Sequence, residues 1–472
     1  MTIEEFYTLH QQAIIQDIMT FVEIPTVLDS NRADAKAPFG KSIKEGLDWV
    51  LKRANDLGFE TKNYDGYAGE VTVGNGEFII GILAHSDVVA AGEGWETEPF
   101  LPVLKENRLY GRGSMDDKGP LISCLYVMKY LQENGKIPEG CALRMIIGTD
   151  EEEEWRDMEY YTSHAERMPD YAIVPDGYFP LIFCEKGLID FDMHFLCQPN
   201  KQAPLQLESL TGGSGRNIVP GKAKCVLKGQ PALYEAIKEK FKDQENLIVS
   251  MKEGKCIIRT EGKSTHAMSP EKGRNAISLL LQALGAIDAI ESISHSEFIR
   301  WYNCYIGMEH DGKGLGWNFS DELSGNLTLN IGTIQDIDEQ IMIEANLRYP
   351  ASMAVEAVRG AMTRALDKSA IQWEEKSWLP PVYIEPDTPF VKMLQQTYEQ
   401  CTGDKEHKPF SIGGATYARA IPNAVAFGPL FPYEEELAHE PNEFLSLDSL
   451  EKMTVIYATA LEKLIQLKDA SK

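Results

Sequence analysis

The sequence predicts an α/β domain with a mainly parallel, helix-covered sheet, interrupted by an inserted α+β domain. In the first third of the chain, short apolar runs typical of buried strands alternate with segments of helical periodicity, which is the pattern of a parallel sheet. From about residue 187, strands alternate apolar and polar residues, as half-exposed antiparallel strands do. The helix and strand patterns after residue 380 indicate a return to the first domain.

Each element of the first domain follows from its own pattern. Apolar residues at helical spacing define its helices, and Gly58 after the second helix is a stop signal. Apolar runs rich in β-branched residues define its strands. The predicted helices are 4–22, 43–57, 120–134, 391–401 and 447–467, and the predicted strands are 78–89, 142–148, 171–176 and 423–428.

The insert spans 187–380, and the first domain comprises 1–186 and 381–472. The segment 378–390 contains four prolines and ends the insert. At close to 190 residues the insert exceeds one small α+β unit of about 100 residues, so two α+β halves are expected. Its predicted strands are 187–197, 255–260, 326–332 and 339–347, and its predicted helices are about 275–292 and 353–367.

Composition excludes several classes of partner. The net charge of −26 argues against nucleic acid and against an anionic membrane surface, which both require basic protein surfaces. The eight cysteines are scattered without a CxxC pair, which fits reduced thiols in the cytoplasm. The N-terminus resembles an amphipathic helix more than a signal peptide, and no run of 18 apolar residues predicts a transmembrane span.

Candidate metal ligands begin with His85-Ser86-Asp87 at the end of an apolar strand. Residues i and i+2 of a strand point to the same side, so His85 could bind a metal while Asp87 orients its ring. Alone, this triplet fits an ordinary histidine equally well. The string YGRGSMDDKG then places Asp116 and Asp117 before a predicted helix, where capping by an aspartate is the simpler explanation.

Three further acidic or histidine segments follow in the chain. Glu151 and Glu152 begin a run of four glutamates after a strand, where one carboxylate could bind a metal and its neighbour accept a proton from water. A solvated helix start would explain the same run. Asp176 lies in a Pro-Asp-Gly segment that fits a simple turn, and His439 could be a lone loop histidine.

Together these segments place His, Asp or Glu at four strand ends of one α/β region. Ligand sites of open α/β sheets lie outside the carboxyl ends of the strands. Imidazole and carboxylate ligands suit zinc, and a bridging carboxylate suits two ions roughly 3.5–4 Å apart.

The motifs resemble those of the dizinc exopeptidases, a family that includes aminoacylases, glutamate carboxypeptidases and succinyl-diaminopimelate desuccinylase. That family combines H-x-D, G-R-G-x-x-D-x-K-G, a Glu-Glu pair, a later Asp or Glu and a C-terminal His, and all five occur here in order over residues 85–439. The stretches HSDVVAAGEGW, GTDEE, VPDG and GGATYAR are most similar to those of the PepV-type dipeptidases.

The resemblance implies a role for each of these residues. His85 and Asp176 would bind one zinc ion, and Glu152 and His439 would bind a second. Asp116 would bridge the two ions. The resemblance also implies that the peptide bond between Asp116 and Asp117 is cis. Glu151 would be the general base and Asp87 would orient His85. Manganese or cobalt could substitute for zinc.

In the insert, the resemblance implies a lid domain. His266 in GKSTHA would stabilise the oxyanion, and Asn217 and Arg348 would bind substrate, Arg348 through the substrate's carboxylate. By their local patterns alone, Asn217 is a turn residue and Arg348 an exposed strand charge. Gly414 and Thr416 would line the pocket.

These implications predict a cytoplasmic zinc dipeptidase that binds small peptides and acts as a monomer, with the second half of the insert in place of a partner's lid. One alternative is an N-acyl-amino-acid amidohydrolase or desuccinylase with the same chemistry. The other is a non-catalytic metal- or peptide-binding protein, which would need neither Glu151 nor His266.

Overall fold

The structure is a computed structural model that describes residues 1–287, 293–337, 340–369 and 371–470. Two predicted elements extend beyond these ranges: the end of the helix at 275–292 and the first residue of the strand at 339–347. Among the described residues, none of the helices combines the length and apolar composition that crossing a membrane requires.

Helices and strands are numbered here in chain order. The helices are α1 (Ile3–Val22), α2 (Lys41–Asp56), α3 (Lys118–Glu133), α4 (Arg156–His164), α5 (Pro231–Phe241), α6 (Ala276–Gly285), α7 (Ser296–Tyr305), α8 (Val355–Lys368), α9 (Pro389–Thr402), α10 (Leu447–Ile465) and α11 (Leu467–Ala470).

The strands of the first half of the chain are β1 (Glu60–Tyr64), β2 (Ala68–Gly74), β3 (Phe78–His85), β4 (Val103–Lys105), β5 (Arg108–Tyr110), β6 (Cys141–Gly148), β7 (Tyr171–Val174), β8 (Ile182–Glu185), β9 (Gly187–Leu196), β10 (Leu205–Gly213) and β11 (Lys222–Gly229). Those of the second half are β12 (Leu247–Lys252), β13 (Lys255–Glu261), β14 (Ser320–Asp321), β15 (Gly325–Asn326), β16 (Thr328–Ile337), β17 (Gln340–Tyr349), β18 (Gln372–Leu379), β19 (Val382–Tyr383), β20 (Phe410–Ile412), β21 (Ala424–Ala426) and β22 (Phe444–Ser446).

The chain forms two compact units. Unit 1 comprises Met1–Phe183, Tyr383–Phe410 and Ala415–Lys472, and unit 2 comprises Cys184–Val382 and Ser411–Gly414. The expected domain ranges differ from these by a few residues at each junction and by the segment Ser411–Gly414. That segment belongs to unit 2 because its carbonyl groups accept hydrogen bonds from Lys186 and Arg348.

The large sheet of unit 1 has the order β1-β2-β6-β3-β7-β21-β8-β19, with β20 beside β8. The pairs β6–β3, β3–β7 and β7–β21 are parallel, whereas β1–β2, β2–β6 and β21–β8 are antiparallel. The expectation of a mainly parallel sheet is therefore too simple: the sheet is mixed, with its parallel pairs at the centre. β3 is apolar along its length because it lies between two parallel neighbours and is covered by α3 and α10.

Unit 2 contains an antiparallel sheet of order β12-β13-β11-β10-β16-β17-β9-β18. Apolar residues of this sheet and of α5 to α8 form its core, in which Phe191, Trp317 and Leu347 are almost fully buried. β10 and β16 pair over only three positions, Thr211–Gly213 opposite Thr333–Gln335. The four strands from β12 to β10 thus meet the four strands from β16 to β18 at a short junction. The division of the insert into two α+β halves stays a prediction.

Several elements have no counterpart among the predicted ones, including β1, β10, β12, α5 and β18. β1 and β18 are edge strands with mostly exposed or half-exposed residues, so their sequences contain no apolar run. β1 is stabilised by pairing with the next strand, β2, whereas β18 pairs with β9, which lies far from it in the chain. Short-range patterns cannot indicate such pairing.

Candidate metal centre

Three parallel strands of unit 1 end at the same edge of the sheet. β3 ends at His85, directly opposite Gly148 at the end of β6. β7 pairs with β3 on the side opposite β6, as far as Ile173 opposite Ile82, and ends one residue later at Val174. The residues that follow β6 and β7, namely Glu151, Glu152 and Asp176, therefore lie close to His85.

Asp116 lies between two histidines. His85 Nε2 lies 2.9 Å from Asp116 Oδ1, and His439 Nε2 lies 3.1 Å from Asp116 Oδ2. Each carboxylate oxygen thus faces a different imidazole. The peptide bond between Asp116 and Asp117 is cis, as the resemblance implied.

The other predicted ligands complete the cluster on either side of Asp116. Asp176 Oδ2 lies 3.7 Å from His85 Nε2, and Glu152 Oε2 lies 2.9 Å from His439 Nε2. Glu151, His85 and Asp176 also bring donor atoms within 4.8 Å of one another. Two ligands of one tetrahedral zinc ion are about 3.3 Å apart, given zinc–ligand bonds of about 2.0–2.1 Å. The donor spacing fits metal binding on both sides of Asp116.

The electrostatics of the cluster also fit a cation. Burial is the main cause that raises the pKa of Glu151, Glu152 and Asp176, the last to about 7. Burial acts in the same direction on Asp116, but hydrogen bonds with His439 and His85 outweigh it and lower the pKa of that carboxyl. The cluster therefore holds more carboxylates than its two imidazoles can balance, and a divalent ion would supply the missing positive charge.

The surroundings of His85 show how its ring is oriented. The buried Nδ1 lies 3.0 Å from the main-chain oxygen of Asp87, while Nε2 faces Asp116. Both ring nitrogens thus face oxygen atoms. If Nδ1–H of a neutral ring donates to the main-chain oxygen of Asp87, the Nε2 lone pair would be available to hold a cation.

Asp87 faces this ring with both its main-chain oxygen and its carboxylate. Its carboxylate Oδ1 lies 3.5 Å from His85 Nδ1, farther than its main-chain oxygen. The other carboxylate oxygen accepts a hydrogen bond of 3.1 Å from the main-chain N–H of Glu152. Asp87 therefore connects the strand end that carries His85 with the loop that carries Glu152.

A buried ion pair that the sequence analysis missed supports the same site. Arg112 Nη1 donates to Glu443 Oε2 at 2.7 Å, and both side chains are at most 1% exposed. Arg112 stands in the string YGRGSMDDKG, which was considered for Asp116, and Glu443 lies four residues after His439. The only sequence signal for the pair was a charged residue close to each of these two candidate ligands.

In unit 2, His266 and Asn217 lie on two loops that hydrogen-bond to each other. The main-chain N–H of Ala267 donates to Asn217 O at 2.8 Å, and Ile218 forms a bridge with His266. His266 Nδ1 accepts a hydrogen bond of 3.1 Å from Met268 N–H. In the neutral ring, the proton is therefore on Nε2.

Arg348 is a buried residue of β17, 3% exposed, and not an exposed strand charge. Its Nε donates to Asn346 Oδ1 at 2.9 Å, and Asn346 Nδ2 donates to Asp190 Oδ1 at 2.7 Å. Its Nη1 donates to Gly413 O, which places the guanidinium beside the segment that contains Gly414. A chain of hydrogen bonds thus orients the guanidinium.

Gly414 belongs to unit 2 and Thr416 to unit 1, and their role in lining a pocket stays a prediction. Thr416 is buried in unit 1, where its hydroxyl accepts a hydrogen bond from Ala418 N–H and caps a short 3-10 turn. This contact gives Thr416 a structural function in its own unit.

Comparison with known proteins shows which family combines these features. The chain is 36% identical to the Bacillus subtilis protein named "Putative dipeptidase YtjP", over 96% of this chain and 97% of that protein. It is 33% identical to the Staphylococcus epidermidis protein named "Putative dipeptidase", with the same coverage of both chains.

Solved structures share the fold at low sequence identity. Human carnosine dipeptidase 1 superposes with a TM-score of 0.60 at 15% identity, over 98% of each chain. Aminoacylhistidine dipeptidase from Vibrio alginolyticus has a TM-score of 0.55 at 16% identity, over 96% of each chain. The model of peptidase family M20/M25/M40 matches residues 81–463. The predicted family and enzyme class are confirmed: this chain belongs to peptidase family M20/M25/M40.

Proposed function

We propose that this chain is a zinc-dependent dipeptidase that hydrolyses the peptide bond of unblocked dipeptides, with β-alanyl and Xaa-His dipeptides among the substrates to test. The observation that carries the proposal is that the two oxygens of Asp116 face two different histidines, at 2.9 and 3.1 Å. A single carboxylate between two imidazoles is the arrangement expected for a two-metal hydrolase. The dipeptidase names of the relatives, which span nearly the whole chain, support the substrate class.

Two zinc ions would be bound by residues on either side of Asp116. His85 and Asp176 would hold one ion, Glu152 and His439 the other. Imidazole nitrogen and carboxylate oxygen suit zinc, and manganese or cobalt can replace it in such sites. When bound, these ions would polarise the scissile carbonyl and lower the pKa of the attacking water.

Glu151 is the proposed general base. It is adjacent to Glu152, and its main-chain oxygen accepts a hydrogen bond of 2.6 Å from Trp155 Nε1, which holds the loop in place. Burial and the nearby Asp176 carboxylate raise the pKa of Glu151. A carboxylate with a raised pKa accepts a proton more readily near neutral pH. Glu151 would take a proton from the attacking water and transfer it to the leaving amine.

His266 is the proposed oxyanion donor. Because Met268 N–H donates to Nδ1, the neutral ring presents an N–H group at Nε2. A preorganised N–H donor stabilises the negative charge that develops on a carbonyl oxygen under attack. Asn217, held beside the His266 loop, would contact the substrate.

Arg348 is the proposed site for the free carboxylate of the dipeptide. Its planar guanidinium is oriented by Asn346 and Gly413, and such a fork binds both oxygens of a carboxylate. A requirement for this carboxylate would favour dipeptides over amidated or longer peptides. The main chain around Gly414, with Thr416, would complete substrate binding.

A substrate panel tests this proposal. The metal-free enzyme, reconstituted with zinc, is assayed with free dipeptides, dipeptide amides, tripeptides and N-acyl amino acids. We expect about two zinc ions per chain and the highest kcat/KM on free dipeptides. Preference for N-acyl amino acids would instead indicate an amidohydrolase or desuccinylase, and metal binding without hydrolysis of any substrate would indicate a binding protein.

We also propose that one chain supplies all catalytic residues, in a cytoplasmic monomer. Mixing Glu151→Gln chains with His266→Ala chains tests this directly. Two chains that each need their own complete site cannot rescue one another. Recovered activity in the mixture would show that His266 acts in a partner's site.

A further inference from the structure

The buried pair Arg112 and Glu443 connects the two segments that carry Asp116 and His439. Glu443 lies four residues after His439, just before β22, and Arg112 lies four residues before Asp116. Their side chains meet at 2.7 Å in the interior of unit 1, 331 residues apart in sequence. Neither residue belongs to the donor cluster itself.

Glu443 binds the main chain that leads into Asp116. Its Oε1 accepts hydrogen bonds from Met115 N–H at 2.9 Å and from Asp116 N–H at 3.2 Å. Its Oε2 accepts a further bond from Gly113 N–H at 3.1 Å. One carboxylate thus fixes three main-chain groups of the turn before α3, including that of Asp116.

Arg112 binds the main chain of His439. Its Nη2 donates to His439 O at 3.0 Å, while Nη1 of the same guanidinium bonds Glu443. The Trp95 ring lies 5.3 Å from the guanidinium carbon. His439 needs such support, because it is in a left-handed conformation with φ of 67° and its side chain is 46% exposed.

We propose that Arg112 and Glu443 are positioning residues: Arg112 holds His439 for the ion that this histidine would bind, and Glu443 holds Asp116, which both ions would share. This inference rests on the proposed two-metal function. A buried ion pair is weak evidence for net stability, because desolvation offsets its attraction. Here, each partner also bonds the main chain of a different metal ligand, which a purely stabilising pair would not require.

The proposal predicts different effects for the two partners. Lysine at position 112 can keep the ion pair with Glu443, but it lacks the second arm of the fork, which donates to His439 O. Arg112→Lys should therefore weaken only the ion beside His439. Glu443→Gln should weaken both ions, because Asp116 is shared between them.

The experiment titrates the metal-free proteins with Co²⁺ and follows binding by absorption spectroscopy. Competition with a chelator gives the affinity of each ion, and thermal unfolding of each metal-free protein measures its stability. Arg53→Lys is the matched control, since Arg53 forms a 2.7 Å ion pair with Asp17 in unit 1 and contacts none of the proposed ligands. We expect Arg112→Lys to keep one tight ion and to bind the second at least tenfold more weakly, while Arg53→Lys binds both as the wild type does.

Each other outcome has a definite meaning. If the wild type binds two ions and Arg112→Lys has the same isotherm, the positioning role is wrong while the proposed function stands. Equal weakening of both ions in Arg112→Lys and in Arg53→Lys would show that the pair acts only on stability, which also overturns the inference. A wild type that binds fewer than two ions refutes the proposed function and this inference with it. Arg112→Lys carries the test even if Glu443→Gln, which leaves a buried cation without its partner, does not fold.

Discussion

The two units of this chain hold their candidate functional residues in different ways. In unit 1, side chains from three strand ends and two loops converge, with histidine nitrogens 2.9–3.7 Å from carboxylate oxygens. In unit 2, the candidates form two separate pairs: Asn217 with the His266 loop, and Arg348 with the segment at Gly413.

This difference determines what each unit can show about function. Converging donors point to a chemistry of their own, because a cation would stabilise several carboxylates that are crowded together beside two imidazoles. Donors that lie apart show only which group each side chain presents, namely an N–H at His266 and a guanidinium at Arg348. Metal binding therefore tests unit 1, and substrate selectivity tests unit 2.

The largest expected effect separates catalysis from metal binding within unit 1. Glu151→Gln should lower kcat by about 10³-fold, because loss of a general base typically costs 10²–10⁴-fold. Zinc content should stay near two per chain. Glu154→Gln is the control, because this neighbouring glutamate is 72% exposed and should leave kcat unchanged. Two bound zinc ions with near-normal turnover in Glu151→Gln would remove Glu151 from the mechanism.

The neighbouring substitution should show the opposite pattern. Glu152→Gln removes a carboxylate that lies 2.9 Å from His439, so zinc content should fall from two ions to one. Equilibrium dialysis followed by metal analysis measures the loss. Retention of both ions at unchanged affinity would assign the ligand to another residue of the acidic run.

A smaller effect is expected from unit 2 and should depend on the substrate. Arg348→Ala should lower kcat/KM for free dipeptides by about 10- to 150-fold, since hydrogen bonds to charged groups contribute about 1.5–3 kcal/mol. Dipeptide amides, which lack the carboxylate, should be nearly unaffected. Arg359→Ala, which removes an arginine paired with Glu375 in the same unit, is the control. Equal losses on both substrates would make Arg348 structural.

The smallest effect should come from the residue that orients Arg348. Asn346→Leu removes the acceptor for Arg348 Nε and should raise KM for free dipeptides by about fivefold, the equivalent of one net hydrogen bond of about 1 kcal/mol. The kcat should change little. Steady-state kinetics on a free dipeptide and its amide distinguish this from general damage, which would affect both substrates alike.

The sequence predicted the donor cluster because parallel strands bring their carboxyl ends to one edge. His85 ends one such strand, and Glu152 and Asp176 follow two others, so their convergence follows from the strand pattern. The pairing of Arg112 with Glu443 was not predictable in this way. The two residues are 331 positions apart, and neither position has a periodicity that indicates its partner.

Two further differences between the sequence-based expectations and the structure have identifiable physical causes. By its local pattern alone, Arg348 would be an exposed strand charge, but Asn346 and Gly413 accept hydrogen bonds from its buried side chain. The antiparallel edge strand β1 lacks an apolar run because most of its residues are exposed or half-exposed.

Anomalous diffraction from crystals of the zinc-loaded protein tests the central claim most directly. The account predicts two zinc peaks roughly 3.5–4 Å apart, the spacing of two-metal sites, with Asp116 between them. One peak should lie beside His85 and Asp176, the other beside Glu152 and His439. A single peak, or two peaks without Asp116 between them, would contradict the proposal that this carboxylate bridges two metal ions.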